Sequence, residues 1–268
     1  GALCALGAIA EELQSRANVA PAIAAILATH VLPELEGQQS FGILRCRACW
    51  TLQRFAEHAG VADISVAPRV CAALLRSLDD ADLPVRVEAT ALVRHLLASD
   101  VGGFDQLLRP HLGTLLESCF KVMREAASDD VVQALEIVVD RYGKDVAPYA
   151  VALAQRLAEA FHAYAGEEDD EEASMAAVQC VEAMAATLAS LDDNENNVYA
   201  QLEPFLLPVL HRVFEASGDF LEYFENGVEV VSYLTYHGRA PFSPGLWAVF
   251  DRLITAFSAF AYDYIAEL

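Results

Sequence analysis

Residues 74–97 have the pattern of two short amphipathic helices separated by a tight turn, with the sequence LLRSLDDADLPVRVEATALVRHLL. Apolar residues recur at helical spacing on both sides of that turn. They are Val66, Val70, Leu74, Leu75 and Leu78 before it, and Val85, Ala89, Leu92, Val93 and Leu96 after it. Neither helix could bury its apolar side alone. The segment therefore predicts one unit of a repeat protein in which helix pairs stack on their neighbours.

The same pattern recurs along the chain. Arg45 matches Arg86 at an interval of 41 residues, and Val85 matches Val131 at an interval of 46 residues. Helix pairs of about 40 to 46 residues are typical of HEAT repeats. Leucine and alanine dominate a sequence that is 55% hydrophobic, and alternating strand patterns are hard to find. We therefore predict an all-α fold, an α-α superhelix (solenoid) of HEAT repeats built from antiparallel helix pairs.

Helix boundaries follow from the apolar spacing, the prolines and the candidate capping residues. Asp82 and Asp130 are predicted to cap the helices that follow them, and Pro84 suits a first helical turn. Pro110, Pro204 and Pro208 fall within helical patterns and are expected to bend them. The predicted helices span residues 2–13, 19–35, 44–60, 104–124, 129–142, 146–164, 173–191, 198–216, 220–237 and 246–260. We expect residues 1–268 to form one continuous solenoid segment, truncated at both ends because neither end reads as a polar capping repeat.

The charge of the chain argues against direct binding of nucleic acid. The formal net charge is −22, which would repel a phosphate backbone. Residues 1–156 contain 14 basic and 19 acidic residues, whereas residues 157–268 contain 3 and 20. No apolar run is long enough to span a membrane. The six cysteines are expected to be reduced core thiols in a reducing compartment.

Five sequence blocks carry a closer resemblance. They are RACWTLQRFAE at residues 47–57, LDDADLPVRVEATALVRHLL at 78–97, LLRPHLGTLLESCFKVMRE at 107–125, DDVVQALEIVVDRYGKDVAPYAVALAQRLAEAF at 129–161 and LEYFENGVEVVSYLT at 221–235. Their order and spacing resemble the central part of the importin-beta (karyopherin-beta) family, and most of all the subgroup of importins seven and eight. The resemblance covers essentially the whole chain and is sharpest before residue 161.

This resemblance implies a segment of a nuclear import receptor that shuttles between cytoplasm and nucleus. Such a receptor binds protein cargo, crosses the pore on FG-repeat nucleoporins, and releases its cargo when the GTPase Ran binds in its GTP form. The family's principal Ran site lies in N-terminal repeats that this sequence does not contain. The resemblance also implies that Arg86, Asp79 and Asp80 fasten neighbouring repeats as a ladder. The protein is expected to act as a monomer without a cofactor.

An acidic run occupies the predicted loop at residues 166–172, between the two helices of one repeat. Adjacent carboxylates repel one another and favour a solvated loop. The resemblance offers a second interpretation, because importin beta has an acidic loop at this position that meets basic surfaces of Ran or cargo. The residues of this candidate protein-binding site are Glu167, Glu168, Asp169, Asp170, Glu171 and Glu172.

A second candidate protein-binding set lies on the later helices of the pairs, which line the concave face in this family. Glu222, Glu225 and Glu229 recur at spacings that bring them to one side of a helix, and Asp219 and Glu182 are placed with them. A basic cargo on this acidic face is one interpretation, and an ordinary solvent-facing stripe is the other.

Other residue patterns do not support catalysis or metal binding. Cys46 and Cys49 form a CxxC, but no second CxxC or close histidine pair accompanies it, so we expect both to pack in the core. Trp50 is expected in the core or as a wedge between repeats, with an exposed cargo platform as the alternative. The seven histidines are scattered and no nucleophile, phosphate-loop or HExxH motif is present. We therefore predict that the protein is not an enzyme. The alternative to a transport receptor is a static HEAT-repeat scaffold of a multi-subunit complex, such as a phosphatase scaffold.

Overall fold

The computed structural model describes residues 1–16, 18–37, 41–56, 65–99, 103–126, 128–165, 171–191, 197–215, 223–238 and 241–259, with the backbone alone at residues 20, 171 and 172. The chain divides into two compact units. Unit 1 comprises residues 1–126 and 133–141, and unit 2 comprises residues 127–132 and 142–268. Every regular element among the described residues is helical, as expected for a sequence rich in leucine and alanine.

Unit 1 is built from helix pairs that stack in order. Its helices are α1 (Ala2–Ala8), α2 (Ala10–Gln14), α3 (Ala20–Ile26), α4 (Leu32–Glu36), α5 (Gly42–Arg54), α6 (Ala67–Ser77), α7 (Leu83–Ala98), α8 (Phe104–Leu108), α9 (Leu112–Met123) and part of α10 (Asp129–Tyr142). The first helices of successive pairs contact one another, α4 with α6 and α6 with α8. The second helices do the same, since α1 contacts α5 and α5 contacts α7.

Unit 2 repeats this arrangement. Its helices are α11 (Ala150–Tyr164), α12 (Glu171–Ala189), α13 (Val198–Val213), α14 (Phe224–His237) and α15 (Pro244–Ala259). The first helices α11, α13 and α15 contact in sequence, the second helices α12 and α14 contact each other, and each second helix packs on the first helix of its own pair. These contacts confirm an all-α fold of the HEAT-repeat solenoid class. That residues 1–268 form one continuous segment stays a prediction.

The apolar pattern at residues 66–96 predicts the core of one pair. Val70, Leu74 and Leu78 are fully buried, and so are the residues on the buried side of α7, including Val85 and Leu92. Leu75, predicted on the same side, is only half-buried. Burial of a leucine or valine contributes about 1.5–3 kcal/mol relative to exposure. Contact with the neighbouring pairs therefore supplies the stability that neither helix has alone.

Of the two predicted helix caps, Asp82 holds the N-cap position of α7 but without a side-chain capping bond, and Asp130 is not at a cap position. Asp82 precedes α7, but its carboxylate makes no capping hydrogen bond. It accepts a hydrogen bond from Arg45 at 3.2 Å instead, because a long-range cation competes with the local backbone N–H groups. Asp130 lies inside α10, which begins at Asp129, and the Asp130 backbone N–H donates to the Asp129 carboxylate at 2.8 Å.

Three predicted boundaries also need correction. The helix predicted at 2–13 is interrupted at Ile9. The helix predicted at 44–60 ends at Arg54, and residues 57–60 lie outside the described residues. The helix predicted at 146–164 begins with a 3₁₀ segment, Gly143–Tyr149, that contains Pro148.

The prolines have two different effects. Pro110 lies in a 3₁₀ segment, Arg109–His111, which separates α8 from α9; the predicted bend at this position stays a prediction. By contrast, α13 continues as an α-helix through both Pro204 and Pro208. No described helix combines the length and the apolar character that crossing a membrane requires.

Candidate functional site

The candidate site is the exposed side of the second helices of unit 2, α12 and α14, which we call the second-helix surface. Glu225 and Glu229 are exposed and lie one turn apart on α14. Glu182 lies half-buried on α12. The Asn226 side-chain amide donates a hydrogen bond to the Glu182 carboxylate at 3.4 Å and so joins the two helices. Three of the predicted carboxylates therefore belong to one surface.

Glu229 is coupled to an aromatic cluster at the end of α14. Tyr233 is hydrogen-bonded to Glu229; burial, followed by the negative charge and the hydrogen bond of Glu229, raises the pKa of Tyr233. The His237 ring stacks on Tyr199 at 5.3 Å and on Tyr233 at 6.3 Å between ring centroids. Tyr236 meets His237 edge-on at 4.8 Å and is 82% exposed. The exposed Tyr236 ring is thus packed against the His237 ring, which is itself stacked on Tyr199.

Charge is segregated within unit 2. The helices α12 and α14 contain no lysine or arginine. The basic residues that the structure describes in this unit lie on the first helices or on the 3₁₀ segment before α11, and they are Lys144, Arg156, Arg212 and Arg252. Two of these form ion pairs with an acid three residues further along the chain, Arg156 with Glu159 at 2.7 Å and Arg212 with Glu215 at 3.1 Å. The second-helix surface is therefore acidic without a cation on its own helices.

Of the remaining predicted site residues, only Glu171 and Glu172 lie in the part of the chain that the structure describes, and only with their backbone. Glu167, Glu168, Asp169 and Asp170 lie outside the described residues, as do Asp219 and Glu222. Glu171 and Glu172 belong to the first turn of α12, so the predicted loop at residues 166–172 is wrong at these two positions, where the chain is already helical. A contact of the acidic run with a partner stays a prediction.

A ladder of ion pairs joins successive pairs in unit 1. Arg45 on α5 makes a two-point contact with the Asp80 carboxylate, at 2.7 and 2.9 Å, in the turn of the next pair. At the matching position one repeat on, Arg86 donates to the Asp80 and Ala81 carbonyls at 2.8 and 3.0 Å and pairs with Glu125. Asp79 pairs with Lys121 at 3.1 Å. The ladder implied by the family resemblance is present in this unit.

Cys46 and Cys49 are buried, as the packing interpretation of the CxxC predicts. Burial raises the pKa of both thiols, that of Cys49 to about 12, which makes a reactive thiolate unfavourable. Among the residues that the structure describes, no group of three or more His, Cys, Asp or Glu could hold a metal ion. Trp50 packs as a wedge between repeats, since its ring lies against Gly7 of α1 and beneath the Arg47 guanidinium, 5.7 Å from the ring centroid.

Sequence reasoning missed Asn226, Tyr233, Tyr236 and His237 at this surface. The spacing of the two tyrosines could have indicated their location, because Tyr233 and Tyr236 follow Glu229 by four and seven residues and so fall on the same side of a helix. The contact of His237 with Tyr199 joins residues 38 positions apart, and no local pattern predicts it.

Known proteins resemble the chain over most of its length. The importin beta-like SAD2 homolog of Arabidopsis thaliana is 29% identical over 100% of the chain and 26% of its own length. The probable importin-7 homolog of Dictyostelium discoideum is 32% identical over 90% of the chain and 22% of its own length. Importin-8 of Homo sapiens is 24% identical over 100% of the chain and 25% of its own length.

The chain thus spans about a quarter of the length of these curated relatives. No protein-family model matches the chain. The relatives nevertheless include the importin-seven and importin-eight proteins that the sequence blocks indicate. The resemblance of this chain to the importin-beta family is confirmed over essentially its whole length.

Proposed function

We propose that the chain is a segment of a nuclear import receptor that binds protein cargo. The acidic second-helix surface is the place where a basic cargo would bind. In the full-length protein, cargo is released by Ran in its GTP form, passage uses FG-repeat nucleoporins, and the receptor shuttles between cytoplasm and nucleus. The segment catalyses no reaction.

The observation that carries this proposal is the charge segregation in unit 2, combined with the similarity to importins. Exposed Glu225 and Glu229 have no lysine or arginine on their own helix or on α12. Exposed carboxylates on one side of a helix favour a ligand of opposite charge and speed its association. HEAT pairs contact only their neighbours, so small rotations between pairs can also change the affinity for cargo.

The test uses the full-length protein with a basic protein cargo immobilised on beads. We expect the receptor to be retained, and to be released when Ran loaded with a non-hydrolysable GTP analogue is added but not when Ran carries GDP. Equal retention of the receptor with Ran in either nucleotide state contradicts the proposal. It favours the static scaffold, whose binding should not depend on Ran.

A further inference from the structure

We propose that the exposed row Glu225, Glu229 and Tyr236 on α14 is a docking strip for an arginine-bearing extended segment of a protein partner. This inference rests on the proposed function for the location of the ligand. It adds the identity of the preferred basic side chain and the residue that selects it.

The row faces away from the body of the unit. A helix turns about 100° per residue, which places Tyr236 about 180° from Gly227 and places both glutamates within about 20° of Tyr236. Gly227 is buried against α13, because a Cβ there would lie 2.8 Å from Val213 and 3.1 Å from Phe214. Asn226, on the flank of α14, contacts α12 through Glu182. The row therefore lies opposite the first helix and is not covered by the stacking contacts of unit 2.

Spacing along the row fits an extended chain. Glu225 and Glu229 are four positions apart, which is about 6 Å along a helix axis, and Glu229 and Tyr236 are seven positions apart, which is about 10 Å. Alternate side chains of an extended segment are about 7 Å apart, so two basic side chains can reach the two carboxylates. A further arginine then lies within reach of Tyr236.

Tyr236 gives the strip a preference for arginine over lysine. A guanidinium can stack flat on an aromatic ring and still form two parallel hydrogen bonds with a carboxylate, whereas an ammonium is a strongly hydrated point charge. The Tyr236 ring is 82% exposed and is held edge-on by His237. It also lies in the last turn of α14, where the helix carbonyls carry partial negative charge. The Tyr236 ring is therefore exposed to solvent, packed against His237 and close to partial negative charge.

The test measures binding of two fluorescein-labelled nine-residue peptides to the 268-residue chain by anisotropy at low salt. Both peptides have a glycine-serine background, with arginine at alternate positions in one and lysine in the other. We expect the arginine peptide to bind about two- to fivefold more tightly. Tyr236→Leu should abolish this difference while leaving lysine binding almost unchanged, and Glu229→Gln should weaken both peptides.

The matched control is Tyr149→Leu, which alters a tyrosine that is 37% exposed on the 3₁₀ segment before α11 and should leave both affinities unchanged. Circular dichroism verifies that each variant is folded. Equal affinity for the two peptides, an arginine preference that survives Tyr236→Leu, or no binding of either peptide overturns the docking strip. If Ran in its GTP form does not release the receptor from its cargo but the chain still prefers the arginine peptide, only the proposed function is contradicted.

Discussion

Asp80 links two consecutive helix pairs of unit 1 through one carboxylate. Arg45 of the preceding pair contacts both of its oxygens, and the Asp82 backbone N–H donates to it at 2.9 Å. The Asp80 side chain is only 11% exposed. Asp80→Ala should lower the free energy of unfolding by about 2 kcal/mol, because it removes the two-point, charge-assisted contact of the half-buried Arg45 guanidinium, while the 3.2 Å contact of Arg45 with Asp82 remains. Urea denaturation of the chain measures this loss.

Asp79 supplies the matched control for that substitution. It is the neighbouring acid and also makes an ion pair, with Lys121 at 3.1 Å, but its side chain is 84% exposed. Exposed pairs contribute less than about 1 kcal/mol, so Asp79→Ala should change stability little. Similar losses for the two substitutions would show that burial and two-point geometry do not give Asp80 a special role.

The same carboxylate should make stability depend on pH. Burial raises the pKa of Asp80, but the Arg45 hydrogen bond, the Asp82 N–H and the charges of Arg45 and Arg86 outweigh burial and lower it overall. A lowered pKa in the folded state gives stability that is present above the unfolded value, about 3.9, and is lost as the pH falls through the folded value. The stability difference between the native chain and Asp80→Asn should therefore shrink when urea denaturation is repeated at decreasing pH below about 4. A constant difference would contradict this assignment.

At the scale of the helix, the contact between α1 and α5 depends on a residue without a side chain. A Cβ at Gly7 would lie 2.2 Å from the Trp50 ring, too close for two such atoms. Gly7→Ala favours the helix by up to about 1 kcal/mol, but overpacking against a rigid ring costs about 1–3 kcal/mol. We expect a net loss of stability in the native chain and a gain when Trp50 is also replaced by leucine.

A double-mutant cycle in urea denaturation measures this coupling. Ala5→Gly is the control, since Ala5 is exposed on the same helix and its replacement should cost the same with either residue at position 50. Additive effects of Gly7→Ala and Trp50→Leu would contradict the wedge role of Trp50.

The helices themselves were largely predictable, because local apolar spacing determines which side of each helix is buried. α10 begins and ends at the predicted residues, Asp129 and Tyr142. The absence of a side-chain capping bond at Asp82 was not predictable, since the competing Arg45 is 37 positions away. Likewise the glutamate positions on α14 followed from spacing alone, whereas the ring that supports Tyr236 depends on tertiary packing with Tyr199.

For the whole molecule, the dominant electrostatic property is the excess of negative charge. The net charge is −22, and self-repulsion of this size opposes the compact state. Raising the ionic strength from about 0.01 M to about 0.1 M shortens the Debye length from about 30 Å to about 10 Å. This screens repulsion between distant carboxylates more strongly than it weakens close pairs such as Arg45 with Asp80, whose side chains are 20% and 11% exposed.

The midpoint temperature of thermal unfolding should therefore rise by a few degrees over this salt range at pH 7, which corresponds to about 1–2 kcal/mol for a chain of this size. Differential scanning calorimetry measures the shift. The control is the same salt series near the isoelectric point of about 4.5, where the net charge is small and the increase should disappear. A midpoint that falls with salt at pH 7 would mean that the ion-pair ladder outweighs repulsion. In that case the contacts of Asp80, Arg86 and Glu125, rather than the acidic surface of unit 2, would dominate the electrostatic free energy of the fold.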